Sequence, residues 1–269
     1  MMSSSRLLGV LAAPAVAFVA AFWLLPVARL FTLPAAQGAA AYFAVLTHGR
    51  HLRSLLNTLG LSLTVTLVTL VIGGLVGITL ARLRFRGKGL LLSLLTLPLS
   101  FPGVIVGFFI ILLGGRQGLV ADLTEWLGLG RSTFAYGLTG LFLAYVYFSL
   151  PRAIATYTAA AGAMDAQLEE AARSLGASHW QVARDVWMPG LAQTTRACGA
   201  IIFATAMGAF GTAFTLASKF EVLPITIYDE FTNYANFGLA ASLSIALGLL
   251  TWLTLFVTRG SARSATTGA

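Results

Sequence analysis

The chain has 269 residues, of which 58% are hydrophobic and only 10% charged, with mean hydropathy +0.86 and net charge +8. Soluble domains carry about 25% charged residues; one globule of this size cannot bury so much apolar surface, so an all-α polytopic membrane protein is expected. The basic residues are spread over loops, which points to cytoplasmic-side retention and not to nucleic acid, and the single cysteine, Cys198, allows neither an intramolecular disulfide nor a metal cage.

Arg6 and the run Leu7–Leu25 read as a first span rather than a cleaved signal peptide, because the run is long, contains Pro14 and lacks a small-residue cleavage site. An outer segment follows from Arg29 to Arg53. His48 and His51 are spaced i,i+3 there, but no third ligand lies near, so a polar outer surface is the better reading. Span 2, Leu55–Leu80, is uncharged, and Gly73, Gly74 and Gly77 give it a small-residue face for close helix packing. Arg82, Arg84, Arg86 and Lys88 then form a basic turn that marks the cytoplasm. Span 3, Gly89–Gly114, is interrupted by Pro98 and Pro102 near mid-membrane; either a kink lining a cavity or a packing kink fits.

Residues 116–131 return outside, where Leu119, Leu123, Trp126 and Leu127 share one face opposite Asp122 and Glu125, the pattern of a short interfacial helix. Span 4 runs from Ser132 to Pro151, with Arg152 at its cytoplasmic end; span 5 is Ala197–Ala217; an outer segment covers Ser218–Asn236; span 6 is Phe237–Val257. Six spans with both termini inside place eleven Lys and Arg on the inner side and six on the outer, the bias expected of this orientation.

Between spans 4 and 5 the chain looks like a soluble surface. Asp165 can cap a helix whose Leu168, Ala171, Ala172 and Leu175 share one face, with Glu169 and Arg173 paired elsewhere. Gly176 stops it, since a left-handed residue costs Gly no Cβ clash. Ser178 and Gln181 form the capping box of a second helix, which Pro189 is expected to end.

Glu170-Ala171-Ala172, three residues, Gly176, nine residues and Val186-Trp187-Met188-Pro189 resemble the signature loop of permease subunits of binding-protein-dependent type I ABC importers. The family pattern ends in Ile-x-Leu-Pro; Val186 and Met188 are conservative departures. Asn57-Thr58-Leu59, Leu97 to Gly103 and Leu150-Pro151 add family-like phrases, so the resemblance covers residues 55–258 of a single permease domain, 1–269, with its coupling loop at 160–190. It implies a bacterial inner-membrane subunit that binds no cofactor itself, with ATP used by cytoplasmic ATP-binding partners. A second permease subunit, identical or different, and an extracytoplasmic solute-binding protein complete the implied machine, surrounded by membrane lipid. Leu168, Glu170, Ala171, Ala172, Leu175, Gly176 and Pro189 are its implied coupling residues.

The residues themselves agree. No phosphate-binding loop is present: Gly87-Lys88 is followed by Gly89, and the position five before Gly87 is Arg82. Glu169 and Glu170 are adjacent and form no facing acid–base pair, so no catalytic residue is assigned. No Asp, Glu, Lys or His falls inside the spans as drawn, which argues against proton coupling, although an ATP-independent secondary transporter or channel stands as the alternative. Thr96, Ser100, Tyr145 and Thr212 are expected either to face the path or to hydrogen-bond between helices. Sequence phrases, among them Leu223 to Tyr228, look most like permeases for polyamines, ferric iron or aminoethylphosphonate. Ala209 in Met207-Gly208-Ala209-Phe210-Gly211 stands where many relatives carry an acid, which disfavours a cation.

Overall fold

The structure is a computed structural model describing residues 4–218 and 220–264, and all its regular elements are helices. They are α1 (Ser4–Val19), α2 (Leu25–Thr32), α3 (Ala44–Thr47), α4 (Gly49–Arg82), α5 (Lys88–Thr96), α6 (Gly103–Gly114), α7 (Leu119–Trp126), α8 (Leu138–Ala163), α9 (Ala166–Ser174), α10 (His179–Val182), α11 (Met188–Met207), α12 (Phe210–Leu216), α13 (Leu223–Thr232) and α14 (Phe237–Ser264). Five helical segments are long and apolar enough to cross a membrane. The count is six if α10–α11 and α12, bent by 50°, form one broken span. Lys219, counted on the outer side in the sequence, lies outside the described residues.

The centre is α4 against α8. The glycine face of α4 meets α8 closely: a Cβ on Gly73 would collide with the Ala153 side chain, and one on Gly77 would come within 2.6 Å of Tyr157 Cβ and 2.9 Å of the Ile154 carbonyl. Because Gly73 meets Ala153 and Gly77 meets Tyr157, the two helices run parallel in fixed register. Val65, Val106, Leu141, Ile202 and Leu216, all buried, fill the space among α4, α6, α8, α11 and α12.

Several boundaries differ from the sequence reading. Span 2 begins at Gly49, not Leu55, so Arg50, His51 and Arg53 belong to its first turns. These turns carry a polar face that binds α13 and the residues just before it. Arg50 Nε lies 3.2 Å from Glu221, and His51 Nε2 is 3.5 Å from Glu230 Oε1 with both side chains buried. Ser54 and Thr226 hydroxyls are 2.7 Å apart, Asn57 Nδ2 donates to Glu221 O at 3.0 Å, and Leu223 N donates to Thr58 Oγ1 at 2.7 Å. His51 is therefore no part of a polar outer surface, and ionisable groups do enter a membrane-length helix. Thr58 caps a helix whose first N–H groups have no internal partner. Thr58→Val keeps the shape but leaves a buried donor unpaired, at a cost of about 1–3 kcal/mol. The expected result is a lower thermal midpoint of the purified protein and faster proteolysis in the 218–236 segment.

Span 3 is split more sharply than a kink. Pro98 lies in a short 3-10 turn, Phe101 before Pro102 is extended, and α6 starts afresh at Gly103, as a residue preceding proline requires. The long apolar segment here is Gly103–Trp126, and Lys88–Ser100 is a shorter apolar helix. In α7, Leu119, Leu123 and Trp126 point outward, while Asp122 and Glu125 both meet Arg131.

Span 4 starts at Leu138, because residues before it are pinned in irregular backbone: Phe134 N and Ala135 N both donate to Gly114 O. Pro151 does not end it. The helix continues to Ala163 with Pro151 inside, as membrane helices tolerate where neighbours satisfy the freed carbonyl. Arg152 accordingly lies within α8, half-buried, rather than at a helix end. Pro189 likewise does not stop α10, which passes through a π-turn at Ala183–Trp187 into α11. The wider turn absorbs the proline ring that would clash in an α-helix.

Candidate functional site

The loop that follows α8 folds as its sequence dictates. Asp165 accepts from Gln167 N at 2.9 Å, and the Ser178–Gln181 capping box is complete. Gly176 has φ +86°, with its N–H donating to Arg173 O (2.9 Å) and Ala177 N to Ala172 O (3.1 Å), the paired bonds of a Schellman stop. Leu168 and Leu175 are 56% and 89% exposed. Ala171 is exposed and Ala172 half-buried, so α9 presents an apolar edge with nothing of this chain upon it. Glu170 stands exposed beside that edge.

Glu169 is the anchored acid. It pairs with Arg173 at 2.9 Å and with Arg82, at the end of α4, at 3.2 Å. The basic turn after span 2 thus ties α9 to the spans. The sequence gives the i,i+4 pair but holds no local signal for the contact with Arg82, 87 residues away.

Two broken spans meet deeper in the bundle. The break at Gly208–Ala209 frees the Ala209 carbonyl, which accepts from Tyr145 OH at 2.7 Å; Thr212 Oγ1 donates to Gly103 O at 3.1 Å beside the Pro102 break. Tyr145 and Thr212 therefore hydrogen-bond between helices, and they also line one cavity of about 220 Å³ with Ser149, Thr205 and Gly103. Thr96 donates to Ser93 O, Ser100 is exposed at the end of its turn, and neither lines this cavity. Below it, a second cavity of about 410 Å³ is lined by Arg152, Thr156, Gln193, Thr194 and Cys198. Arg152 Nη1 donates to Thr205 Oγ1 at 3.1 Å, joining the two.

Tyr145, Ser149, Arg152 and Thr156 recur at i, i+4, i+7 and i+11, one face of α8. That periodicity was available in the sequence; a proline read as a stop hid it.

The helical bundle with its broken spans, and the solvent-exposed helix–Gly–helix hairpin tied to the span ends, are the frame of a membrane transport subunit. Residues 70–265 match the family model described as "Binding-protein-dependent transport system inner membrane component", and the chain belongs to this family. It is the membrane-spanning permease subunit of an ABC importer. It is 31% identical over 216 residues to a molybdenum transport system permease protein of Escherichia coli (strain K12), covering 78% of this chain and 93% of that one. It is also 31% identical over 247 residues to a chloroplastic sulfate permease of Chlamydomonas reinhardtii, covering 89% of this chain and 66% of that protein. Among solved structures, the bacterial alginate ABC transporter in complex with an alginate pentasaccharide-bound periplasmic protein matches with TM-score 0.81 at 18% identity, covering 97% of this chain and 95% of that one. The fold is that of a type I ABC permease. The two relatives carry molybdenum and sulfate in their names, not the polyamine, iron or phosphonate group that the sequence phrases resemble.

Proposed function

We propose that residues 1–269 form one permease domain, with both termini cytoplasmic, that pairs with a second permease subunit to import a small tetrahedral oxyanion, sulfate or molybdate. Cytoplasmic ATPase subunits hydrolyse ATP, each receiving one α9 hairpin, and an extracytoplasmic binding protein delivers the anion. This chain binds no cofactor and carries no catalytic residue. The observation that carries the coupling role is the division of labour on α9: Glu169 faces inward to Arg82, while Leu168, Ala171 and Leu175 are left for a partner. Glu170 is free to accept charge-assisted bonds at the rim of that contact. Tyr145 and Thr212 line the path, and the acid-free stretch around Ala209 suits an anionic cargo.

The test is uptake of labelled sulfate and molybdate into proteoliposomes holding the permease, its ATPase and its binding protein. Uptake is expected only with ATP on the ATPase side and binding protein on the other. Uptake by this chain alone along an ion gradient would overturn the proposal.

A further inference from the structure

Arg152 stands half-buried midway along α8, with no counter-ion among the described residues. No ion pair among the described residues includes it. Its described side-chain bond goes to the Thr205 hydroxyl, which uses one of the five N–H donors of a guanidinium.

Its depth follows from the α4–α8 register. Ala153 packs on Gly73, nine residues before Arg82, so Arg152 sits about 13 Å from the basic end of α4. In a hydrocarbon layer roughly 30 Å thick that is near the midplane. A charge there faces protein or water-filled space and marks a pathway.

The space is present. The cavity beside Arg152 measures about 410 Å³, large against the ~30 Å³ that a water takes in the liquid, so an ion with four oxygens enters with part of its shell. Its polar lining is Thr156, Gln193 and Thr194, and no Asp or Glu contributes. Gln193, Ala197 and Ile201 also line an adjoining cavity with Arg196. Arg196 lies nine residues nearer the hairpin than Thr205 on α11. Two cations therefore follow one another from mid-membrane toward the end where α9 sits.

We propose that Arg152 forms an oxyanion way-station in the translocation path, holding the tetrahedral dianion after it leaves the Tyr145–Thr212 cavity and passing it toward Arg196. This rests on the oxyanion-importer reading above. The guanidinium is planar and forked, matched to two oxygens of such an anion; a neutral or cationic solute gains nothing from it.

Two measurements on the assembled transporter test this. In uptake, Arg152→Gln is expected to lose about ten-fold or more for sulfate and molybdate, the scale of a lost charged hydrogen bond, while ATPase stimulation by loaded binding protein persists. Arg152→Lys, which keeps the charge, is expected to recover part of it. In labelling, Ala197→Cys in a Cys198→Ala background reacts with a water-soluble thiol reagent, and sulfate or molybdate is expected to slow the reaction only when Arg152 is present. Sulfate uptake unchanged in Arg152→Gln at normal abundance overturns the way-station and leaves the importer reading standing. Arg152-dependent protection without sulfate or molybdate uptake by the parent upholds the anion site and overturns the substrate assignment. Protection equal in Arg152→Gln overturns the site.

Discussion

Gly176→Val is expected to abolish uptake while leaving membrane insertion and permease pairing intact. Gly176 has φ +86° and nothing lies within 4 Å of where its Cβ would stand. The substitution therefore collides with nothing in this chain; its cost is the backbone itself, about 1–2 kcal/mol for a side chain in the left-handed region. That is small for a bundle of this size, so the spans stay folded. The hairpin relaxes instead, because the two Schellman bonds that fix the angle between α9 and α10 depend on this one residue. A joint that passes force from a closing ATPase pair to the spans needs that angle held. Ala171→Glu reaches the same end by another route: Ala171 is exposed, so a carboxylate costs nothing until α9 is seated in a partner, where it would be buried unpaired. Glu170→Ala is expected to reduce uptake only partially, since neighbouring contacts can replace one rim bond. Membrane abundance, co-purification of the ATPase and uptake, measured on the same preparations, separate the cases. Normal uptake by Gly176→Val at normal abundance would show that the turn transmits nothing, and degraded or mis-inserted protein would show that these residues only fold the hairpin.

Much of the hairpin was legible because its signals are local. A cap, an i,i+4 pair, a left-handed glycine and a capping box each act within four residues, and each appears where the sequence places it. The glycine face of α4 was legible for a similar reason: small residues four apart in the uncharged stretch Leu55–Leu80 have little use except close approach. The failures share a cause as well. Pro151 and Pro189 were read as stops by the rule for helices in water, yet both sit within continuing helices. Arg50, His51 and Glu230 fall in segments read as outer because they lie between the apolar runs, but each finds a partner across more than 150 residues. Long-range pairing also conceals the cavity between the broken spans. Tyr145 and Thr212 come together only because two helices break at one level, and no spacing within either segment encodes that meeting.

The same register that sets the depth of Arg152 predicts a change of sign between two glycines of one helix. Gly60 and Gly77 both lie inside α4, and alanine is favoured over glycine in a helix interior by about 1 kcal/mol. At Gly60 a Cβ meets nothing within 4 Å, so Gly60→Ala is expected to raise the thermal midpoint slightly. At Gly77 the added carbon comes within 2.6 Å of Tyr157 Cβ and 2.9 Å of the Ile154 carbonyl. A side chain tip could turn away, but Tyr157 Cβ and Ile154 O are fixed to the α8 backbone, so the whole helix must shift. Overpacking of this kind costs roughly 1–3 kcal/mol, and here the shift propagates. Tyr157 also donates to Thr195 on α11 at 2.8 Å, and Thr158 donates to the Gly77 carbonyl at 3.2 Å. Moving α8 outward loosens both bonds and displaces Arg152 along with them. Gly77→Ala is therefore expected to lower the midpoint by several degrees in detergent and to reduce folded yield, with Gly77→Leu leaving almost none. Thermal unfolding of Gly60→Ala, Gly77→Ala and the parent under one condition decides the matter: equal shifts of the same sign at both positions would mean that α4 and α8 are not in the close parallel contact on which the depth of Arg152 depends.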